Sequence, residues 1–309
     1  MYDLTIIGGG PTGMTAGIYA ARKKIKTLLI TESFGGQSII AAKIQNFIGF
    51  KSISGLELSK LIQEHLKAQE DIEIKDQALV SQIEKKDNGF IIKTSAAETF
   101  ETKTILLGLG NRYRELNVEA EQKFKGRGVF YCATCDAPLM KNKITAVVGG
   151  GNAGFESVIQ LLPYASKIYV LEYMETPKAD PITQEKAKQS GKVEVITMAQ
   201  VKEIFGDEFV KGIKYEDRRN NEIKELSVQG IFVAIGYQPN SDLVKNLVEL
   251  NQYGQIVVDT KTQKTSCEGI WAAGDVTDGL YRQYNIAIGD SIKAVLNIYD
   301  YLKLNGNGK

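Results

Sequence analysis

Two glycine-rich segments, Gly8-Gly9-Gly10-Pro11-Thr12-Gly13 and Gly149-Gly150-Gly151-Asn152-Ala153-Gly154, recur at an offset of 141 residues, counted from Gly8 to Gly149. Each follows a short apolar run, Leu4-Thr5-Ile6-Ile7 in one case and Thr145-Ala146-Val147-Val148 in the other. Short apolar runs bounded by glycine suit strands buried on both faces of a parallel sheet. Helix-compatible sequence comes next, Met14 to Arg22 and Phe155 to Leu162, and then a further strand, Thr27 to Ile30 and Lys167 to Leu171. The pattern is βαβ twice, the unit of a doubly wound α/β sheet. The expected fold is α/β, with two Rossmann-like, three-layer nucleotide-binding domains.

One G-x-G-x-x-G match is weak, because glycine is common in turns; the strand before and the helix after supply the context that gives it meaning. The first glycine allows a tight turn, and the second lets the backbone approach a pyrophosphate. The third lets helix and strand pack closely, with the helix N-terminus facing the anion. These roles fall on Gly8, Gly10 and Gly13, and again on Gly149, Gly151 and Gly154. An acidic residue about 20 positions on binds a ribose hydroxyl. In the first unit Glu32 follows the second strand, with Thr31 between; in the second, Glu172 follows Val170-Leu171 directly. A carboxylate at Glu172 accepts from the ribose 2′-OH of NADH and repels a 2′-phosphate. The stretch from Tyr173 to Asp180 offers Lys178 and no arginine to clamp a phosphate. NADH is therefore expected over NADPH.

Between the repeats, Glu57 to Ala68 has the spacing of an amphipathic helix, with Leu58, Leu61, Ile62 and Leu66 on one face. Short strands are expected near Ala78 to Glu84, Phe90 to Thr94 and Lys103 to Leu107. A similar series lies at Val201 to Phe205, Gly212 to Tyr215, Glu225 to Gln229 and Gly230 to Ala234. Each half thus joins a βαβ core to a small antiparallel insertion. The end, Asn305-Gly306-Asn307-Gly308-Lys309, reads as a frayed tail.

Ahead of the second loop stands Cys132-Ala133-Thr134-Cys135. This spacing suits a redox dithiol, in which one thiolate attacks a partner's disulfide and its neighbour resolves the mixed disulfide. Zinc would need two more ligands, and the chain offers only Cys267 and His65. A structural or inert pair is the other alternative. His65 is the only imidazole, so Asp136 is the nearest candidate general acid for the dithiol. Asp136 also suits a helix N-cap ahead of Ala137-Pro138. Cys267 reads as a bystander and His65 as a solvated helix residue.

Bulk properties exclude several classes. Lys and Arg number 38 against 37 Asp and Glu, so no global field attracts nucleic acid or an anionic membrane. No apolar run approaches the roughly 18 residues of a spanning helix. No cationic leader precedes the first β-like run, and 3 cysteines make no disulfide scaffold. A cytoplasmic address is expected.

Lys125-Gly126-Arg127-Gly128-Val129, then Cys132-Ala133-Thr134-Cys135-Asp136, then Val147-Val148-Gly149-Gly150-Gly151-Asn152, resembles the low-molecular-weight thioredoxin reductase family. The flavoprotein component of alkyl hydroperoxide reductase is similar. The flanks agree: Gly35-Gly36-Gln37, Gly236-Tyr237-Gln238-Pro239-Asn240 and Trp271-Ala272-Ala273-Gly274-Asp275. The resemblance spans essentially the whole chain. It implies a discontinuous FAD domain, residues 1–115 and 244–309, with a pyridine-nucleotide domain, residues 116–243, inserted and carrying the dithiol. Gly8, Gly10 and Gly13 would hold the FAD pyrophosphate, with Glu32, Gln37, Asn46 and Gly274 as further FAD-site residues. Asp275 would meet the ribityl–phosphate side, and Arg282 and Gln283 the isoalloxazine. Gly149, Gly151, Gly154, Glu172 and Gly236 would hold NADH. Cys135 would exchange electrons with the flavin and Cys132 would attack the partner. The family alternates two domain orientations and is homodimeric through its FAD domains.

The chain also departs from the family. NADPH-dependent members carry a His-Arg-Arg cluster where Glu172-Tyr173-Met174 stands, which resembles the NADH-using peroxide-reductase branch. Gly108-Leu109-Gly110 replaces Ala-Thr-Gly, and Ser291 replaces a late glycine; FAD binding is expected to survive both. Met1-Tyr2-Asp3 leaves no room for the extra thioredoxin-like domains of the peroxide-reductase flavoprotein, so a separate thioredoxin- or glutaredoxin-like partner is expected. The main alternative is the same dithiol chemistry driven by reduced ferredoxin or another donor. A flavin-based redox sensor and a dithiol oxidase are lesser ones.

Overall fold

The computed structural model describes residues 1–41 and 44–306. The chain forms two compact units, leaving the first after Arg112 and returning to it at Gln238. The sequence expectation placed these crossings a few residues later. They fall in two short strands that pair with each other, β7 (Asn111–Tyr113) and β16 (Tyr237–Pro239).

In chain order the first unit begins with β1 (Tyr2–Gly9), α1 (Pro11–Arg22), β2 (Thr27–Phe34) and α2 (Gly55–Lys67). It continues with β3 (Ile72–Lys75), β4 (Val80–Lys86), β5 (Gly89–Thr94) and β6 (Thr99–Leu107), and after β16 it ends with β17 (Ile270–Ala272) and α6 (Tyr284–Gly306). Strands β3, β2, β1, β6 and β17 are parallel neighbours. Strand β6 is long enough to serve two pairings. Its first half runs antiparallel to β5, with Phe90 opposite Thr102, and its second half runs parallel to β17, with Ile270 opposite Ile105. Side chains alternate across this sheet. Leu4, Ile6 and Leu29 face a layer built from α1, α2 and α6. Ile7, Leu28 and Ile30 face the opposite layer, with Ile83 and Phe90 of the β4–β5 hairpin and Val244 and Ile256.

The second unit contains β8 (Val129–Phe130), α3 (Ala133–Asp136), β9 (Ile144–Val148), α4 (Asn152–Leu161), β10 (Lys167–Leu171) and α5 (Pro181–Gln189). It continues with β11 (Val193–Ile196), β12 (Ala199–Gly206), β13 (Val210–Asp217), β14 (Glu222–Ser227) and β15 (Gly230–Val233). A parallel sheet in the order β11-β10-β9-β15-β8 carries helices on one face, where Val147, Ile168 and Val170 meet Phe155, Val158 and Leu161. The antiparallel sheet β12-β13-β14 covers the other face, where Ala146, Val148 and Leu171 meet Ile213 and Tyr215. Each unit is thus a three-layer α/β structure.

Two expectations need correction. Helix α6 runs to Gly306, so Asn305 and Gly306 are helical rather than part of a loose tail; Asn307 to Lys309 lie outside the described residues. Helices α1 and α4 also begin earlier than their apolar periodicity suggested, at Pro11 and Asn152, inside the glycine loops. The fixed φ of proline suits the first position of a helix.

Candidate active site

The two glycine loops close in the same way. Gly8 and Gly149 sit at φ 115° and 114°, a region that favours glycine. A Cβ on Gly13 would overlap the carbonyl oxygen of Gly8, and one on Gly154 would overlap that of Gly149. Gly10 and Gly151 instead face open space, with no atom within 4 Å of where a Cβ would stand. These two residues are the N-caps of α1 and α4, and neither helix has a side-chain cap. First-turn N–H groups without side-chain acceptors, beside a glycine with open space, fit the pyrophosphate of a dinucleotide.

The middle glycines separate the two units. At matching positions Gly9 lies against Thr31 and Gly150 against Glu172. Thr31 Oγ1 donates to the Ser33 carbonyl at 2.7 Å. Glu172, only 8% exposed, accepts from the Gly150 N–H at 2.6 Å and the Met174 N–H at 2.7 Å. Its carboxylate thus ties the loop to the end of β10, and its two oxygens have lone pairs left to accept further hydrogen bonds. Glu32 is exposed, and Thr31 rather than Glu32 holds the position that matches Glu172. Gly236, at φ 97°, stands two residues after Ala234, whose carbonyl lies against Gly149.

Sequence reasoning missed an arginine at this place. Arg218, in the turn after β13, lies over the Tyr173 ring with 3.9 Å to the centroid, and its Nη1 donates to the Tyr173 carbonyl at 2.9 Å. Only the pairing of β13 with β12, and of β12 with the end of β10, brings it there; no local spacing reveals it.

The residues expected to hold FAD all belong to the first unit. A Cβ on Gly274 would overlap Thr12 Oγ1, so the turn carrying Asp275 lies on the first turn of α1. Burial pushes the Asp275 carboxyl up to about 6, opposed by Arg282. A Cβ on Gly36 would stand 3.4 Å from Gly10 Cα, which sets Gln37 next to the loop. Gln37 Nε2 donates to both Asn111 oxygens, 2.5 Å to the side-chain one. Asn46 Nδ2 donates to Gln283 Oε1 at 3.0 Å. At the departures from the family, a Cβ on Gly108 would stand 3.2 Å from Thr12 Cγ2 and 3.3 Å from Gly13 N, and Ser291 folds its hydroxyl onto the Ile288 carbonyl at 2.7 Å.

The dithiol belongs to the second unit. Cys132 and Cys135 are joined as a disulfide across α3, with Cα atoms 5.3 Å apart. The Cys132 carbonyl accepts from the N–H groups of Cys135 and Asp136 at 3.2 and 3.0 Å, which holds both sulfurs on one helical turn. Asp136 makes no capping hydrogen bond to the 3-10 turn that follows. Burial alone pushes its carboxyl from 3.8 up to about 7. A carboxyl that titrates near neutrality can give or take a proton beside the dithiol. Beside Cys132, Tyr131 O–H donates at 2.8 Å to Glu121, which is 1% exposed and also receives the Leu116 and Asn117 N–H groups. Cys267 is buried and free, and His65 is exposed on α2.

Known proteins match this arrangement along nearly the whole chain. The family described as pyridine nucleotide-disulphide oxidoreductase matches residues 2–291. A thioredoxin reductase structure from Streptococcus pyogenes superposes with a TM-score of 0.92 at 34% identity, covering 98% of this chain and 99% of that one. The protein called NADH dehydrogenase in Bacillus subtilis is 41% identical over 304 residues, 98% of this chain. An alkyl hydroperoxide reductase component of Pseudomonas putida is 41% identical over 306 residues, 97% of this chain. The chain spans 59% and 58% of the lengths of these two relatives. The chain belongs to the pyridine nucleotide-disulphide oxidoreductase family, and within it to the thioredoxin reductase-like flavoproteins.

Proposed function

We propose that the chain is an FAD-dependent reductase that passes two electrons from NADH, through Cys132 and Cys135, to a disulfide of a thioredoxin- or glutaredoxin-like protein. One observation carries this reading: a disulfide on a single helical turn is followed at once by a buried carboxyl that caps nothing. Such a pair is equipped to open and close.

Gly8, Gly10 and Gly13 would hold the FAD pyrophosphate at the uncapped start of α1, with Glu32, Gln37, Asn46, Gly274, Asp275, Arg282 and Gln283 as further FAD-site residues. Bound there, FAD supplies the two-electron chemistry that links a hydride donor to a disulfide. Gly149, Gly151, Gly154 and Gly236 would form the nucleotide loop for NADH, and Glu172 would accept from its ribose 2′-OH. Opening the Cys132–Cys135 bond takes two electrons and leaves two thiolates; Asp136 gives its proton to Cys135, and Cys132 stays a thiolate. The Cys132 thiolate then attacks the partner's disulfide, forming a mixed disulfide and expelling one partner thiolate. Cys135, returning its proton to Asp136, attacks the Cys132 sulfur, which re-forms the original bond and expels the second partner thiolate; the two partner thiolates take up two protons from solvent.

An anaerobic titration following flavin absorbance tests the donor. NADH is expected to reduce the flavin much faster than NADPH. Equal rates sink the NADH assignment, and failure of NADH with success of reduced ferredoxin replaces it. No helix among the described residues is long and apolar enough to cross a membrane.

A further inference from the structure

Beyond Glu172 the chain presents a surface with no assigned task. Tyr173 is 48% exposed and Met174 46%, two large apolar side chains in succession at the end of β10. Arg218 lies over Tyr173, its guanidinium carbon 3.9 Å from the ring centroid. Its Nη1 is committed to the Tyr173 carbonyl. The turn that presents it is anchored. The Arg218 N–H donates to the Met198 carbonyl at 2.8 Å, and Met198 N–H donates in turn to the Met174 carbonyl at 3.0 Å. Next to it, the buried Asp217 accepts from Arg219 Nε at 2.8 Å and Lys224 Nζ at 2.7 Å. Arg218 is thus set in place before any ligand arrives, which lowers the ordering cost of binding.

With Glu172 meeting the ribose of the adenosine half, as proposed for NADH, the attached base extends past the strand end, over the residues that follow. We infer that the stacked Arg218–Tyr173 pair is the platform on which the adenine of the nucleotide lies. Purines stack on guanidinium planes and aromatic rings alike. Arg218 therefore acts through its flat face. With Nη1 spent on a backbone carbonyl, its end-on Nη1–Nη2 fork is not free to clamp a 2′-phosphate. An arginine at the ribose end is in this way compatible with a preference for NADH.

The test uses the FAD-loaded protein and direct calorimetric binding of ADP-ribose and 2′-phospho-ADP-ribose, so that turnover plays no part. Arg218→Ala and Tyr173→Ala are each expected to weaken ADP-ribose about tenfold, the scale of one lost stacking contact. Arg218→Lys, which keeps the charge and loses the plane, is expected to recover little. The ratio of the two ligands' affinities is expected to stay the same in Arg218→Ala. Unchanged ADP-ribose affinity in both alanine variants overturns the platform, as does full recovery by lysine. A loss confined to 2′-phospho-ADP-ribose makes Arg218 a phosphate clamp instead. If the unaltered protein binds neither ligand, the nucleotide site itself fails, an outcome distinct from binding that survives in the variants.

Discussion

The two glycine loops share a backbone and differ in their surroundings. In α1, 9 of 12 residues are buried, under α2 and α6; in α4, 4 of 10 are buried, with α5 and α3 as its main helical neighbours. Gly17 shows how close the first packing is, since a Cβ there would stand 2.6 Å from a Leu66 methyl on α2. The strand ends differ in the same sense. The first loop leans on a hydroxyl, Thr31, whose bond turns back to its own strand, whereas the second is bonded to a carboxylate, Glu172. A deeply packed loop suits a group that stays, and a shallow, charged one suits a ligand that exchanges. The same glycine spacing sets what can be bound, while the packing behind it sets how permanently.

Breaking each loop at its third glycine should give the largest contrast. Gly13→Ala forces a Cβ into a carbonyl within the buried helix, and loss of soluble, flavin-loaded protein is expected. Gly154→Ala makes the same clash in the shallower unit, so the protein should keep its flavin and lose its reduction by NADH. Purification yield, bound-flavin absorbance and stopped-flow reduction separate the two, and equal damage in both would erase the comparison. Next in size, Cys132→Ser should abolish reduction of a thioredoxin-like acceptor and leave flavin reduction by NADH intact. Surviving acceptor reduction would falsify the proposed dithiol roles.

A smaller effect is expected at the strand ends. Glu172→Gln keeps the shape but weakens charge-assisted bonds to two N–H groups, for a loss of about 1–3 kcal/mol in NADH binding. Thr31→Val, at the matching position, should leave flavin content unchanged. A titration in which Glu172→Gln binds NADH normally would remove the ribose role. The smallest effect concerns pH. Asp136 carries its proton below about 7, so the rate of disulfide opening should fall as pH rises through that value, and Asp136→Asn should flatten the profile. The sign for stability follows from the same raised pKa. The folded state holds the proton more tightly than the unfolded one. Its contribution is full below about 4 and is lost as pH rises through about 7. Thermal melts at pH 8 should therefore find Asp136→Asn no less stable than the parent.

The βαβ cores were legible because a strand buried on both faces must read as a short apolar run, and glycine must stand where a helix crosses a carbonyl. The amphipathic helix near Glu57 was legible too, although it starts at Gly55 under a Ser54 cap that accepts from Glu57 N–H, and Leu61, expected on the apolar face with Leu58 and Leu66, is exposed. Less was visible where pairing decides the outcome. The doubled role of β6 depends on two different neighbours, β5 and β17, along one strand. The capping role weighed for Asp136 also fell away, because the side chain is buried without reaching an N–H group.

Local spacing in the chain by itself determined the two loops, the dithiol and the acidic residue after β10, because each depends on neighbours a few positions apart. Only the tertiary structure decided what surrounds them. It buried Asp136 until its proton became available near neutrality, and it covered α1 but not α4. It also carried Arg218 across the antiparallel sheet to Tyr173. Burial and long-range stacking arise from strands far apart in sequence, so no local pattern records them.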